Sequence, residues 1–153
     1  MRRSIALIAA LALVASLGAA PALAGKKKKV KVHETFGATL APFPNISSYT
    51  ATPRPGCTAG EEGVHWVGQE FKSPGKGTLR LYMEGFTGDH DIYLFDGDVA
   101  VARSDQEQVG QGMAPPEEEL SMPLKKGQTV LLVACNWMGQ PDVAAHYEGT
   151  FKT

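Results

Sequence analysis

Four aspartates are concentrated in one short stretch of this 153-residue chain. They are Asp89, Asp91, Asp96 and Asp98. Carboxylate oxygens gathered on turns are the ligands that Ca²⁺ prefers, so these side chains form a candidate calcium site. The alternative is that they hold turns through hydrogen bonds from side chain to backbone. We favour the alternative, because Asp91 and Asp98 are expected near opposite ends of one hairpin.

Catalytic groups are harder to find in the sequence. His90 lies between two of the aspartates, and their negative charge is expected to raise the pKa of its imidazole. An exposed turn at this position would offer no dry pocket for acid or base catalysis. The four histidines are scattered, and none of the seven serines stands in a glycine-flanked nucleophile turn. The sequence therefore predicts a protein that is not an enzyme and needs no cofactor, calcium aside.

Three aromatic residues form a candidate binding surface. Tyr82, Tyr93 and Phe95 are out of phase with the alternating apolar residues beside them, so they are expected to point away from the core. Exposed rings supply flat contact area for a polysaccharide or a protein surface. The alternative is that a further layer, such as the N-terminal strand, covers these rings.

Cys57 and Cys135 are the two cysteines of the chain. An even count without metal-ligand spacing, in a chain predicted to be exported, favours a disulfide between them. A copper site using Cys135, Met138 and His146 is the alternative, but such sites need a free thiolate and closely spaced ligands. His146 lies 11 residues beyond Cys135, so we expect the disulfide.

Short strands must position all of these residues. Apolar and polar residues alternate through 77–104, and the Asp96-Gly97 pair is typical of a tight hairpin turn. The run 130–135 is almost continuously apolar, which indicates a strand buried on both faces. The sequence therefore predicts an all-β, antiparallel sandwich of about eight strands. The expected strands are 30–40, 64–71, 78–84, 91–96, 98–104, 118–124, 130–135 and 144–151.

The same region carries a recognisable pattern. A glycine-initiated apolar strand is followed by the run Asp89–Leu94, a turn with glycine and a strand that ends in serine. Over residues 62–152 this pattern resembles the bacterial pre-peptidase C-terminal domain family. The resemblance implies a jelly-roll-like sandwich that is usually a non-catalytic part of secreted enzymes. The structural positions expected from the pattern are Gly77, Ile92, Leu94, Gly97 and Ser104.

The N-terminal region is read as a targeting segment. Residues 1–24 have the arginines, apolar core and small-residue cleavage site of a signal peptide. Residues 25–32 are expected to form a disordered basic leader, either a solvated tail or a tether to anionic polymers or lipid headgroups. Residues 33–60 then form a proline-rich strand and link, and 61–153 the sandwich domain.

Charge narrows the choice of partners. From His33 onward, 8 Lys and Arg stand against 16 Asp and Glu, a net charge of −8, so nucleic acid is not an expected partner. No membrane span is expected in the mature chain. The sequence predicts a secreted, periplasmic or cell-surface binding domain that contacts a polysaccharide or a protein surface. The alternatives are a calcium-stabilised structural domain and a helper of a secreted enzyme.

Overall fold

Eight β-strands and one short 3-10 helix are present in a computed structural model of the protein, which describes residues 28–43, 56–104 and 117–153. The strands are β1 Lys29–Thr39, β2 Trp66–Lys72, β3 Lys76–Glu84, β4 Gly88–Asp96, β5 Val99–Ser104, β6 Glu117–Leu124, β7 Thr129–Gly139 and β8 Asp142–Lys152. The 3-10 helix is Gly56–Ala59. Each predicted strand overlaps one of these strands, because alternation with a period of two is a local property of the sequence.

The strands form two four-stranded antiparallel sheets. The first sheet has the order β1-β8-β3-β6 and the second has the order β2-β7-β4-β5. The chain changes sheet at every connection except the β4–β5 hairpin, which gives the order of an eight-stranded jelly roll. The predicted all-β sandwich is confirmed.

The core lies between the two sheets. β3 contributes Leu79, Leu81 and Met83, which are at most 1% exposed, and β4 contributes Ile92 and Leu94, which are fully buried. Alternation in the sequence predicts that these residues share one face of their strand, and that face is the one buried in the core. Burial of large aliphatic side chains contributes roughly 1.5–3 kcal/mol each, so this layer is the main stabilising element of the fold.

A second apolar layer covers the outer face of the second sheet. It consists of Phe43, Cys57, Trp66, Tyr93, Phe95, Val133 and Cys135, and we call it the covering layer. The 3-10 helix lies in this layer, where the Cys57–Cys135 disulfide joins it to β7. The predicted disulfide is thus confirmed. Because of this layer, β4 and β7 are buried on both faces.

Two boundaries differ from the sequence prediction. Residues 29–32 belong to the end of the predicted disordered leader, which overlaps the predicted strand 30–40. They form the start of β1 and pair with β8, with Lys29 opposite Lys152. Val32 packs against the core, which explains why this segment forms part of a strand. The sandwich therefore begins at β1 and not at residue 61. The second boundary is the end of β7, which continues to Gly139, four residues beyond the predicted strand 130–135.

Some predictions fall on parts of the chain that the structure does not describe. The predicted signal peptide, residues 25–27 of the predicted leader and residues 44–55 of the predicted link lie outside the described residues, as do residues 105–116. Among the residues that are described, no helix is long and apolar enough to span a bilayer.

Candidate functional site

The four aspartates lie in two separate places. Asp89 and Asp91 are near the start of β4, whereas Asp96 ends that strand and Asp98 lies in the turn after it. A strand rises about 3.3 Å per residue, so Asp91 and Asp96 are roughly 17 Å apart. Four ligands of one ion lie within about 5 Å of each other, so these four cannot bind a single Ca²⁺. Calcium binding by either pair stays a prediction.

Asp91 has a buried setting that the sequence did not indicate. Its carboxylate accepts a hydrogen bond of 3.0 Å from the Tyr93 hydroxyl. One of its oxygens also lies within 4.8 Å of the sulfurs of Cys57 and Cys135. Thiolate and carboxylate groups this close are suited to a metal ion, but the disulfide uses both sulfurs. In the oxidised protein Asp91 therefore accepts from the Tyr93 hydroxyl of the covering layer, next to the disulfide.

The prediction for His90 is wrong both in its location and in the direction of its pKa shift. His90 is fully buried in β4, and its Nε2 lies 3.0 Å from the carbonyl oxygen of Gln140. Its ring packs edge-to-face on Phe86 and directly against Gly139, where a Cβ would come within 2.1 Å of the imidazole. Burial lowers the pKa of His90, because the charged imidazolium loses its hydration.

Two of the three predicted binding aromatics are buried. Tyr93 and Phe95 are each 1% exposed within the covering layer, so their prediction as an exposed surface is wrong and the alternative, a further layer, is correct. The segment with Phe43 and Cys57 supplies that layer, not the N-terminal strand. Tyr82 lies on the other sheet. Residues out of phase in β3 and in β4 point in opposite directions, because the two strands belong to opposite sheets.

Tyr82 stands on the outer face of the first sheet, which we call the platform. The centre of the platform consists of Thr35, Arg80, Tyr82, Glu119, His146 and Glu148. The Tyr82 ring stacks on the His146 ring at 5.2 Å, and the Arg80 guanidinium lies 4.3 Å from the centre of the Tyr82 ring. His146 is fixed in turn by the Thr35 hydroxyl, 2.8 Å from its Nδ1. The platform thus carries one flat, partly exposed group of planar side chains.

Charge on the platform is organised around Arg80. Its guanidinium donates to Glu119 at 2.6 Å and to Glu148 at 3.0 Å, and His33 lies 3.5 Å from Glu148. Hydrogen bonding to Arg80 lowers the pKa of Glu119 and Glu148, and the same bonds raise the pKa of Arg80. These groups are exposed, so their contribution is to hold the geometry of the surface and not to stabilise the fold strongly.

The predicted structural positions have clear surroundings. Ile92 and Leu94 are core residues, and Ser104 ends β5 opposite Ile92. Gly97 has a φ of 61° in the two-residue β4–β5 turn, a conformation that favours glycine. Gly77 lies close to β8, where a Cβ would come within 2.4 Å of the Thr150 carbonyl oxygen. The structural roles of these residues stay predictions until variants are measured.

Comparison with known proteins gives only distant likenesses. No protein-family model matches the chain, and no curated protein matches it. The similar solved structures include a periplasmic inhibitor of g-type lysozyme, PliG from Aeromonas hydrophila, at 9% identity and a TM-score of 0.36, covering 83% of this chain and 88% of that one. A family 35 carbohydrate-binding module from Clostridium thermocellum matches at 14% identity and a TM-score of 0.37, covering 82% and 99%.

A third similar structure is dimeric latent PorU from Porphyromonas gingivalis. It matches at 13% identity and a TM-score of 0.36, covering 84% of this chain and 14% of that one. Likenesses this distant carry no argument about ligand or activity. The resemblance to the pre-peptidase C-terminal domain family therefore stays a prediction.

Proposed function

We propose that the protein is a non-catalytic binding domain that acts outside the cytoplasm and contacts a polysaccharide through its platform. The observation that carries this proposal is the stack of Tyr82 on His146, beside Arg80, on a partly exposed sheet face. The opposite outer face is closed by the covering layer. The disulfide supports the location, because disulfides persist in oxidising compartments.

The chemistry of the platform suits a sugar polymer. A partly exposed aromatic ring provides an apolar plane against which the C–H face of a sugar packs. Around it, Arg80, Glu119 and Glu148 provide hydrogen-bond donors and acceptors for hydroxyl groups, and their mutual ion pairs hold them in place. A protein surface is the second kind of partner that such a platform fits, since tyrosine and arginine are enriched where proteins bind each other.

Binding assays with variants of Tyr82 test the proposal. The oxidised protein is incubated with insoluble cellulose, chitin and peptidoglycan, and the bound fraction is measured. We expect Tyr82→Ala to lose most of the binding, on the order of tenfold or about 1.4 kcal/mol, because aromatic residues at the centre of a contact carry much of its binding energy. Tyr82→Phe keeps the ring and is expected to keep most of the binding.

A matched control removes an exposed apolar side chain elsewhere. Val99 is 63% exposed on β5, in the other sheet, so Val99→Ala should bind like the wild type. Thermal unfolding of every variant shows that the fold is intact. The proposal is wrong if no polysaccharide binds, or if Tyr82→Ala and Val99→Ala bind equally well. Binding to secreted proteins alone would instead favour the role of a helper or inhibitor.

A further inference from the structure

All eight lysines among the described residues lie at one end of the sandwich. They are Lys28, Lys29, Lys31, Lys72, Lys76, Lys125, Lys126 and Lys152. The two sheets share this end, where β1 begins, β2 turns into β3, β6 turns into β7 and β8 ends. We call it the lysine end.

Backbone hydrogen bonds hold the lysine end together. Ser73 of the β2–β3 turn donates to Gln128 of the β6–β7 turn, and Gly127 donates back to Ser73, each at 2.9 Å. Thr153 donates to the Lys28 carbonyl at 2.9 Å, which joins the start of β1 to the end of β8. The lysines therefore extend from a fixed frame and not from separate loops.

Three of the lysines form one row across the first sheet. Lys152 of β8 is paired with Lys29 of β1 on one side and with Lys76 of β3 on the other. Neighbouring strands are about 4.8 Å apart, so three like charges lie along roughly 10 Å. Like charges directly opposite each other destabilise a sheet. The ion pairs around Arg80 on the platform include no lysine of this row, and among the described residues none of these three lysines is joined to a carboxylate.

Acidic groups are concentrated at the opposite end. Glu84, Glu117 and Asp142 lie where β3 ends and where β6 and β8 begin. An 11-residue strand such as β8 spans about 36 Å, which is several Debye lengths at physiological salt. Among the described residues, the carboxylates nearest the lysine end are Asp96 and Asp98 in the β4–β5 turn and Glu70 on β2, against eight lysines. The described part of the protein is therefore dipolar along its strands.

From this separation of charge we propose that the lysine end docks on an anionic phospholipid surface, with the strands upright and the acidic end directed away. The lysines come from both sheets, so they form a two-dimensional patch that matches an array of headgroups better than a single linear polymer. A protein lying flat would bring its acidic end to the same surface. Each lysine near such a surface contributes up to about 1 kcal/mol.

Vesicle co-sedimentation tests this proposal, which concerns a surface other than the ring stack of the platform. The probes are vesicles of phosphatidylcholine alone and vesicles that contain about 30% phosphatidylglycerol, which imitates an anionic leaflet. We expect the protein to bind the anionic vesicles at low salt. Binding should be lost at about 0.5 M salt, because screening shortens the Debye length to a few ångströms. Neutral vesicles should bind little.

Two triple variants with the same net charge locate the contact. The first replaces Lys29, Lys76 and Lys152 by Gln, and it should bind anionic vesicles at least about tenfold more weakly. The second keeps every lysine and adds three carboxylates at the far end, through Val64→Glu, Met138→Glu and Ala144→Glu. These positions are exposed, with Val64 at 37% and Met138 at 52%, so the fold should tolerate them. This variant should bind within about twofold of the wild type.

Several outcomes would overturn the proposal. Equal weakening in both triple variants would show that net charge, and not the lysine end, decides binding. Equal binding to neutral and anionic vesicles would show an apolar contact. Binding to soluble inorganic polyphosphate without binding to vesicles would assign the lysine end to a linear polyanion. Tyr82→Ala should leave vesicle binding unchanged, so failure of this proposal and failure of the proposed function are distinguishable.

Discussion

Mild acid should destabilise this protein through His90. The imidazole is fully buried against Phe86 and Gly139, and burial lowers its pKa from the ordinary value of 6.5. In the unfolded chain the same side chain is hydrated and titrates near 6.5. Below that pH the unfolded state therefore binds more protons than the folded state, so folding stability must fall as pH falls.

The size of the effect follows from linkage. Stability is fully present above pH 6.5 and falls by up to about 1.4 kcal/mol per pH unit between 6.5 and the lower pKa of the folded state. At pH 5.5 the loss is thus up to about 1.4 kcal/mol, a substantial part of the roughly 5–15 kcal/mol of a small domain. Glu119 and Glu148 affect stability in a separate pH range. Their pKa values are lowered in the folded state, so their contribution to folding stability is lost only below about pH 4.5.

Urea unfolding of the oxidised protein at pH 7.0 and 5.5 measures the loss by linear extrapolation. His90→Gln removes the titration and keeps an amide donor for the Gln140 carbonyl, so its stability should differ little between the two pH values. His33→Gln is the control, because it removes a histidine that is exposed on the platform and not packed in the fold. If His90→Gln fails to fold, NMR of the wild-type imidazole should show that its pKa lies below the ordinary value of 6.5.

The reasoning about His90 would be refuted by one clear result. If the wild type and His90→Gln lose the same free energy of unfolding between pH 7.0 and 5.5, another group is responsible for the slope. Asp89 and Asp91, which flank His90 on β4, would then be the next groups to replace.

Two further predictions concern the covering layer. The Cys57→Ala/Cys135→Ala double variant should lose up to about 4 kcal/mol of unfolding free energy, because the bridge spans 78 positions of sequence; two free thiols in the native protein, measured by non-reducing mass spectrometry, would contradict this. Asp91→Ala should cost about 1–3 kcal/mol in a denaturant melt, since the Tyr93 hydroxyl loses this acceptor, with Tyr93→Phe as the milder companion variant. A chelator should leave the melting temperature of the wild type unchanged, and a chelator effect that Asp91→Ala abolishes would instead favour calcium binding.

The covering layer shows where sequence reasoning stops. Tyr93 and Phe95 were correctly expected to point away from the main core, because that follows from alternation along β4. Whether such residues meet water or another layer depends on a distant segment. Here Phe43 and the disulfide-linked Cys57 supply that layer, and nothing local to β4 indicates their arrival.

The candidate site likewise combines a feature that the sequence predicts with features that only the sheet order decides. Tyr82 could be placed on an outer face from the sequence of β3 alone, but its partner His146 is 64 positions away on β8. The β3–β8 pairing that brings the two rings together is a property of the sheet order. Arg80 and Glu148 become partners for the same reason, at a separation of 68 positions.

The sequence by itself determined the eight strands, the all-β sandwich and the cysteine pair. Period-two alternation and an even cysteine count are local or compositional signals that need no knowledge of neighbours in space. Tertiary structure alone decided that His90 is buried, that the four aspartates are separated and that lysines from four regions of the chain meet at one end. These outcomes depend on which strands become neighbours, and strand pairing over long separations in sequence is set by the packing of the whole sandwich.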